Sequence, residues 1–146
     1  MKIRIKMSYK IVAQYYKDIS FEIPDAKTAL LLDKDIKNYK FVCDINSEKI
    51  KENIIEVAVN LKLTPTEKKD NRIIYVSVNL ASLLQIEEKV SKEELEKIIL
   101  IKIPTEIYPN VRNMVILLFE KSGYKKINIH EKIDFLKLYE AKKNQK

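Results

Sequence analysis

Apolar and polar residues alternate along most of the first half of the chain, and this pattern constrains the fold more than any other feature. Before Pro24 most of the apolar side chains fall at odd positions. This first run comprises Ile3, Ile5, Met7, Tyr9, Ile11, Ala13, Tyr15, Ile19, Phe21 and Ile23. A period of two is typical of a β-strand with one buried face. We therefore expect a long half-buried strand before Pro24, or a strand pair with a bend.

Later alternating runs predict further strands. One of these runs consists of Tyr39, Phe41, Cys43 and Ile45. The next two lie at 54–64 and 72–80, and a polar stretch that contains Pro65 separates them. Adjacent strands joined by a polar turn favour an antiparallel hairpin. Lys68 and Lys69 are then expected to be solvated turn residues.

The period changes to that of a helix after residue 90. Ser91, with Glu94 three residues later, forms a capping box that predicts the start of a helix. The residue before a proline avoids the helical region, so Ile103–Pro104 is predicted to end this helix. Pro109 is predicted to open the next helix at its first position.

The helix predicted over 110–119 is apolar almost all round, so we expect it to be covered on more than one side. Gly123, the only glycine in the sequence, stands just beyond it, where a left-handed C-terminal cap is expected. A last helix is predicted from about His130 to Lys143. Strands followed by helices predict one α+β domain over 1–146, with a single antiparallel sheet of about four strands.

The positive charge of the chain is concentrated at its two ends. The formal net charge is +7; residues 1–10 and 120–146 each carry a surplus of four, and the middle carries −1. Basic ends can attract a phosphate backbone or an anionic membrane surface. Bidentate recognition of bases and phosphates favours arginine, of which the chain has three. The pattern therefore favours solvation of a lysine-rich surface.

Residue types that common catalytic chemistry requires are scarce. With one histidine, one cysteine and one glycine, a single chain offers no disulfide, no Cys/His zinc site and no Gly-rich phosphate loop. No motif places a nucleophile near His130. Glu93, Glu94 and Glu96 fit a solvated helix face better than a metal cluster. We therefore expect no enzyme activity, no metal and no other cofactor.

No targeting or membrane segment is predicted. The alternating N-terminus lacks the continuous apolar core of a signal peptide. No apolar run approaches the length of a membrane span. A cytoplasmic protein is the simplest expectation.

Several motifs resemble those of the SecB family of bacterial export chaperones, in the same order along the chain. The segment 16–22, followed by Pro24 and Ala26, resembles the opening strand signature of that family. Further matching segments are the strand pair at 54–64 and 72–80, Ile103–Pro104, Tyr108–Pro109 with Arg112, Ser122–Gly123–Tyr124, Asn128–Ile129 and Asp134–Phe135–Leu136. The resemblance spans the chain from about residue 15 to 139.

The resemblance implies an α+β fold in which a four-stranded antiparallel sheet packs with C-terminal helices. It also implies a holdase that binds unfolded preproteins and keeps them competent for translocation and delivery to the SecA export motor. No nucleotide or metal is implied. The family assembles as a homotetramer, a dimer of dimers. The apolar helix at 110–119 suits such packing between subunits, through Val111, Met114, Val115 and Leu118.

Site residues also follow from the resemblance. It assigns client contact to the strand residues Ile74, Val76, Val78 and Leu80. Periodicity alone leaves ordinary sheet core as the alternative for these four. The resemblance assigns SecA docking to Asp18 and Glu22, for which surface solvation is the alternative.

Two departures from the family pattern concern SecA. A third acidic position of the family appears here as Ser77, and the acidic C-terminal region is replaced by Lys142, Lys143 and Lys146. Both changes weaken the charge complementarity that docking to SecA would use. A SecB-like chaperone dedicated to a single partner, such as an antitoxin, therefore stays open. A basic nucleic-acid-binding module is a further alternative, although the chain lacks Trp and an RNP-like aromatic string. So is an interaction protein without clients.

Overall fold

One antiparallel sheet organises the chain, of which the computed structural model describes residues 8–67 and 74–144. The strands are β1 (Tyr9–Glu22), β2 (Tyr39–Lys51), β3 (Ile54–Pro65) and β4 (Tyr75–Ile86). Their order in the sheet is β1-β4-β3-β2, so β1 and β2 form its two edges. The predicted α+β class, the four strands and the antiparallel pairing of β3 with β4 are confirmed. Lys68 and Lys69 lie outside the described residues.

Short helices connect β1 to β2, and longer helices follow the sheet. The short elements are α1 (Ala26–Leu30), α2 (Leu32–Asp35) and a 3-10 turn (Ile36–Asn38). After the sheet come α3 (Lys92–Lys97), a π-helical turn (Ile98–Lys102), α4 (Ile103–Lys121) and α5 (Phe135–Lys143). Residues 124–134, between α4 and α5, have no regular secondary structure, and we call them the 124–134 segment.

The core lies between α4 and one face of the sheet, which we call the helix face. α4 packs across the two central strands, β3 and β4. The buried apolar side chains of these strands on the helix face are Val57, Val59, Leu61, Leu63, Val76, Val78, Leu80, Leu84 and Ile86. From α4 the core receives Ile103, Ile107, Val111, Val115 and Phe119, which recur every fourth residue and form one apolar stripe.

The opposite face of the sheet, which we call the open face, carries small and polar side chains. Its central positions are Ala58, Asn60, Ser77, Asn79 and Ala81. The Ser77 hydroxyl donates to Asn60 Oδ1 at 3.1 Å. An antiparallel sheet with one face packed on a core and the other face turned to water shows this division of residue types.

β1 changes face twice, which the alternating pattern does not predict. Its pairing with β4 shifts at Val12 and again at Lys17, so that each of these residues is an extra one in the strand. One extra residue reverses the alternation of side chains. Tyr15 therefore lies on the open face and Tyr16 on the helix face. The prediction that all odd positions share one face is wrong for Ala13 and Tyr15, and the bend that we allowed for corresponds to these bulges.

The two prolines of the helical region do not separate helices as predicted. The π-helical turn continues directly into α4, so Ile103–Pro104 lies at the start of α4, and Pro109 lies inside it. Proline is tolerated in the first turn of a helix because the N–H that it lacks would be unpaired there. The wider π turn changes the hydrogen bonding just before Pro104. The Thr105 hydroxyl also donates to the carbonyl of Ile101 at 2.6 Å.

Two predicted helix caps are confirmed. Ser91 Oγ accepts a hydrogen bond from the backbone N–H of Glu94 at 3.1 Å and so begins α3. Gly123 has a φ of +87°, and the N–H of Tyr124 donates to the carbonyl of Phe119 at 2.9 Å. This left-handed glycine ends α4 as expected.

The last helix begins later than predicted. Its first residue is Phe135 and not a residue near His130, because Asp134 provides the N-terminal cap. Asp134 Oδ1 accepts from the N–H of Lys137 at 3.0 Å. The preceding residues contribute side chains to the core without forming a helix; Ile129 is only 4% exposed.

Candidate functional site

A groove of about 380 Å³ lies between β2 and the 124–134 segment, and we call it the β2 groove. Residues of β3 and α4 also line it, and most of the lining side chains are aliphatic or aromatic. β2 contributes Tyr39, Phe41 and Cys43, and the 124–134 segment contributes Tyr124, Ile127 and Ile133. Concave apolar surfaces of this size are typical of binding sites.

The position of β2 in the sheet explains why the groove is open. Tyr39, Phe41 and Cys43 alternate onto the helix face, as the sequence predicts. α4 packs over β3 and β4, so β2 is left at the margin of the core, and these three side chains are only half-buried. β2 pairs with β3 on one side, and its other edge is unpaired within the described residues.

Two side chains of α4 hold the other wall of the groove in place. Tyr108 donates its hydroxyl to the carbonyl of His130 at 2.6 Å, and Arg112 Nε donates to the carbonyl of Ile129 at 3.2 Å. The Tyr108 ring also contacts Phe135 edge to face, with 6.2 Å between ring centroids. Burial raises the pKa of Tyr108 above its usual value. Its phenol therefore stays protonated and can donate at neutral pH.

Two titratable side chains in the groove are uncharged at neutral pH. Burial, and to a smaller extent the Asp44 carboxylate, raises the pKa of the Cys43 thiol to about 11. Burial and the Asp33 carboxylate raise the pKa of Tyr124. The neutral thiol and phenol add no charge to the mainly apolar lining, to which Lys40 and Lys126 contribute the cationic side chains.

A second apolar surface lies along the edge strand β1, and we call it the β1 surface. It consists of Ile11, Val12, Tyr16 and Ile19 of β1 with Leu117 of α4, and each of these side chains is between 37% and 45% exposed. Tyr16 and Leu117 line a cavity of about 310 Å³ between β1 and α4. Apolar side chains grouped on an unpaired edge strand are typical of a surface that contacts another protein.

Glu56 is an almost buried carboxylate on the open face, with an exposed fraction of 9%. Lys17 Nζ lies 2.7 Å from Glu56 Oε1, and the Tyr15 hydroxyl donates to Glu56 Oε2. These hydrogen bonds lower the pKa of Glu56, and the carboxylate raises the pKa of Lys17 and raises that of Tyr15 to about 12. The contact joins β1 to β3 across β4, where the small Ala81 stands opposite Tyr15.

The two predicted docking acids lie on the open face and are exposed. Asp18 Oδ2 accepts a hydrogen bond from the Ser20 hydroxyl at 2.8 Å, and Glu22 stands opposite Tyr75 of β4. Ser77, the third position of the proposed docking set, faces Ser20 across the strand pair. The structure thus brings these positions together on one surface, and their part in SecA docking stays a prediction.

The four predicted client-contact residues lie in the core. Ile74, Val76, Val78 and Leu80 are at most 2% exposed and do not line the β2 groove. In the single chain they form sheet core on the helix face, which is the alternative stated above. Their part in client contact stays a prediction.

The predicted interface residues of α4 have different surroundings. Val111 and Val115 face the sheet of their own chain and are fully buried, whereas Met114 and Leu118 are half-buried. Leu117, which the prediction omitted, is 43% exposed. The expectation that α4 is covered on more than one side is therefore not met by the described chain alone. The interface stays a prediction.

Sequence reasoning missed the β2 groove. The alternation at Tyr39, Phe41 and Cys43 identifies a strand, but sequence does not reveal that this strand is an edge. The sequence analysis placed the end of the second wall in a helix that begins near His130, so the irregular segment that forms this wall was not predicted. One signal was available, because Tyr108 and Arg112 are four residues apart and therefore project from the same side of a helix.

Comparison with known proteins identifies the family. The model of the family described as "Preprotein translocase subunit SecB" matches residues 4–146. The chain belongs to the SecB family. A "Putative protein-export protein SecB" of Pelagibacter ubique (strain HTCC1062) is 37% identical over 138 residues, 94% of this chain and 98% of that protein. A SecB of Rhodospirillum centenum is 26% identical over 87% of this chain and 74% of that protein.

A solved structure of a SecB-like protein has a similar fold. It is the Mycobacterium tuberculosis Rv1957 SecB-like chaperone in complex with a ChAD peptide from the Rv1956 HigA1 antitoxin. The TM-score is 0.56 at 12% sequence identity, and the match covers 84% of this chain and 90% of that chain. At this identity the similarity concerns the fold alone.

Membership of the SecB family confirms the predicted resemblance and the predicted class of function. The protein is a protein-export chaperone that binds client preproteins, and it is not an enzyme. Over the residues that the structure describes, no helix is long and apolar enough to cross a membrane.

Proposed function

We propose that this member of the SecB family holds unfolded segments of preproteins in the β2 groove and keeps them competent for export. The observation that carries the proposal is the apolar groove beside the outer edge of β2, which pairs with no other strand that the structure describes. Half-buried aromatic side chains such as Tyr39 and Phe41 can accept apolar side chains of many shapes. The site therefore suits a chaperone whose clients share no sequence.

The client segment is proposed to bind as an additional strand along β2. The outer edge of β2 offers main-chain N–H and C=O groups, which recognise any extended peptide irrespective of its sequence. In an extended client every second side chain points the same way, so alternate residues enter the groove. Backbone hydrogen bonds supply affinity, and the apolar groove selects segments that the folded client would bury.

A charge placed in the wall of the groove tests this proposal. Ile127 is half-buried in that wall. The substitution Ile127→Asp places an uncompensated charge there, and we expect it to weaken client binding about tenfold or more. Binding is measured by titration with a fluorescently labelled unfolded preprotein and by suppression of its aggregation.

Leu138→Asp provides the matched control, because Leu138 is 56% exposed on α5 and does not line the groove. It should bind the client as the wild type does. Circular dichroism verifies that both variants are folded. An Ile127→Asp variant that is folded and binds normally, or an equal loss in both variants, contradicts the proposal.

We infer that delivery to SecA uses the open face, through the exposed Asp18 and Glu22. Ser77 and the basic residues Lys142 and Lys143 reduce the negative charge that this chain offers to a basic partner. Replacing both acids by lysine should abolish SecA binding measured at low salt. Absence of SecA binding by the wild type at low salt would remove the delivery step.

A chaperone dedicated to a single partner is the second candidate for the fine function. Ser77 and the basic C-terminal residues favour it, because they depart from the acidic pattern expected for SecA docking. A chaperone of similar fold is bound to an antitoxin peptide, so a fold of this kind can hold such a partner. A protein that binds one partner tightly and leaves other unfolded proteins to aggregate would support this candidate. Both candidates place the protein in the cytoplasm.

We further propose a homotetramer, a dimer of dimers, that uses the β1 surface. Within the described residues β1 has no partner strand on its outer edge, and it carries the exposed Ile11, Val12 and Ile19, while its Tyr16 lines a cavity with Leu117 of α4. A closed, symmetric assembly would cover this edge and the second side of α4.

A further inference from the structure

The 124–134 segment is one wall of the β2 groove, yet its backbone is weakly tied to the rest of the fold. No backbone–backbone hydrogen bond joins residues 125–132 to any other part of the chain that the structure describes. The nearest bonds lie at the two ends of the segment, at the N–H of Tyr124 and the N–H of Phe135. Between these points the wall depends on side chains.

The wall is held by the buried side chain of its own Ile129 and by two polar side chains that come from one helix. Tyr108 and Arg112 stand one turn apart on α4 and donate to two successive carbonyls, those of His130 and Ile129. α4 itself is fixed on the sheet by buried residues of the same turns, including Ile107 and Val111. Two fixed donors thus bind the middle of a segment that lacks backbone ties of its own.

We propose that Tyr108 and Arg112 are positioning residues that latch the 124–134 segment and thereby set the opening of the β2 groove to clients. The inference rests on the proposed function of the groove. When both bonds are formed, the wall stands against β2 and retains the client segment. When they open, the wall is free to move away from β2, which admits or releases the segment.

Cys43 permits a direct measurement of this opening. It lines the groove, and it is the only cysteine in the chain, so a thiol reagent modifies one known position. Cys43 is half-buried beside the wall, and burial raises the pKa of its thiol, so the closed wall slows the reaction of the thiol. The rate of Cys43 modification by a disulfide reagent therefore reports how often the groove opens.

Tyr108→Phe removes the hydroxyl that donates to His130 and retains the ring that contacts Phe135. Loss of one hydrogen bond is expected to raise the rate of Cys43 modification about two- to tenfold. Arg112→Met removes the other donor and should act in the same direction, and the double variant should exceed either single variant. Hydrogen exchange of the amides of residues 125–132 should accelerate in parallel.

Two control variants separate the latch from other effects. Tyr75→Phe removes the hydroxyl of an exposed tyrosine on the open face and should leave the rate of modification unchanged. Val57→Ala weakens the sheet core without touching the latch, and it should accelerate exchange in the strands. In the latch variants, exchange in β3 should remain at the wild-type rate.

Client binding supplies the second readout. The latch variants should release a bound unfolded preprotein faster than the wild type, and bound client should protect Cys43 from the reagent. Rates of modification equal to the wild type in both latch variants would overturn the latch, whatever happens to the client. Faster modification without any change in client binding would overturn the groove as the client site, which is a failure of the proposed function.

Discussion

Glu56 illustrates, for a single residue, how the irregularity of a strand determines a contact elsewhere. The bulge at Val12 turns Tyr15 to the open face, where its hydroxyl donates to Glu56. The bulge at Lys17 lets the lysine reach the same carboxylate. A regular β1 would instead direct Tyr15 toward α4. The network therefore depends on both bulges and ties the edge strand to the centre of the sheet.

The loss of this network should make stability depend on pH in a defined way. Because the folded state lowers the pKa of Glu56, its ionised form contributes stability that is present at neutral pH and lost as the pH falls through the folded-state pKa. Glu56→Gln is expected to lower the free energy of unfolding by about 1 kcal/mol at pH 7. The difference from wild type should shrink below about pH 5.

Urea unfolding at several pH values measures this difference, and Glu52→Gln, at an exposed turn carboxylate, is the control. The control should show no comparable loss at pH 7. In alkali, Tyr15 adds a second dependence, because its pKa is raised to about 12. Its contribution is complete below about pH 10 and is lost as the pH rises through 12. A Glu56→Gln difference that is constant from pH 7 to pH 4 would contradict the role of the ionised carboxylate.

Among the elements, the helical region shows where local sequence rules hold and where packing overrides them. Ser91 and Gly123 behave as predicted because a cap depends on a few neighbouring backbone groups. Pro104 does not end a helix, because the apolar stripe that begins at Ile103 continues through α4 and favours one long helix on the sheet. The gain from burying this stripe exceeds the local preference of the residue before proline.

Pro109 lies in the interior of α4 at an exposed position, and its replacement tests this balance. Pro109→Ala restores an N–H to the helix and removes no buried side chain. It should therefore raise the free energy of unfolding by about 1–2 kcal/mol, less than the full difference in helix propensity because proline also restricts the unfolded chain. Thermal and urea unfolding measure the change. A less stable variant would show that the proline ring contributes to packing.

The strands were predicted more completely than the site that they form. Alternation identifies β2 and β3 because the period of two is set within each strand. The order β1-β4-β3-β2 depends on contacts distant in sequence, so the edge position of Tyr39 and Phe41 was not available from their pattern. The 124–134 segment was not predicted for a similar reason. Two of its carbonyls accept hydrogen bonds from donors on α4, which are distant in sequence.

At the scale of the whole molecule, the two edges of the sheet have different surroundings. β1 carries exposed apolar side chains beside Leu117, whereas β2 borders the groove. The proposed assembly through β1 and the proposed client binding along β2 therefore use different parts of the chain. A substitution on β1 should therefore leave client binding along β2 intact, and a substitution on β2 should leave the assembly through β1 intact.

Ile19→Lys tests the β1 surface, because Ile19 is 45% exposed on the edge strand. A buried lysine at a subunit interface is strongly unfavourable, so the variant should have a smaller mass in solution than the wild type. Light scattering coupled to gel filtration measures the mass in multiples of the 17.2 kDa chain.

Ile50→Lys is the matched control, since Ile50 is 50% exposed at the end of β2 and away from β1. It should retain the mass of the wild type. Equal masses for the wild type and Ile19→Lys, or a wild-type mass of one chain, would remove β1 from the assembly.

The placement of β1 and β2 at opposite ends of the sheet has a consequence for stoichiometry. In the proposed assembly each chain that joined through β1 would bring its own groove, so the number of client segments bound should increase in proportion to the number of chains. Titration of a short peptide would then saturate at one peptide per chain. A long unfolded client that reaches two grooves would bind far more tightly than either segment alone, because the first contact raises the local concentration for the second.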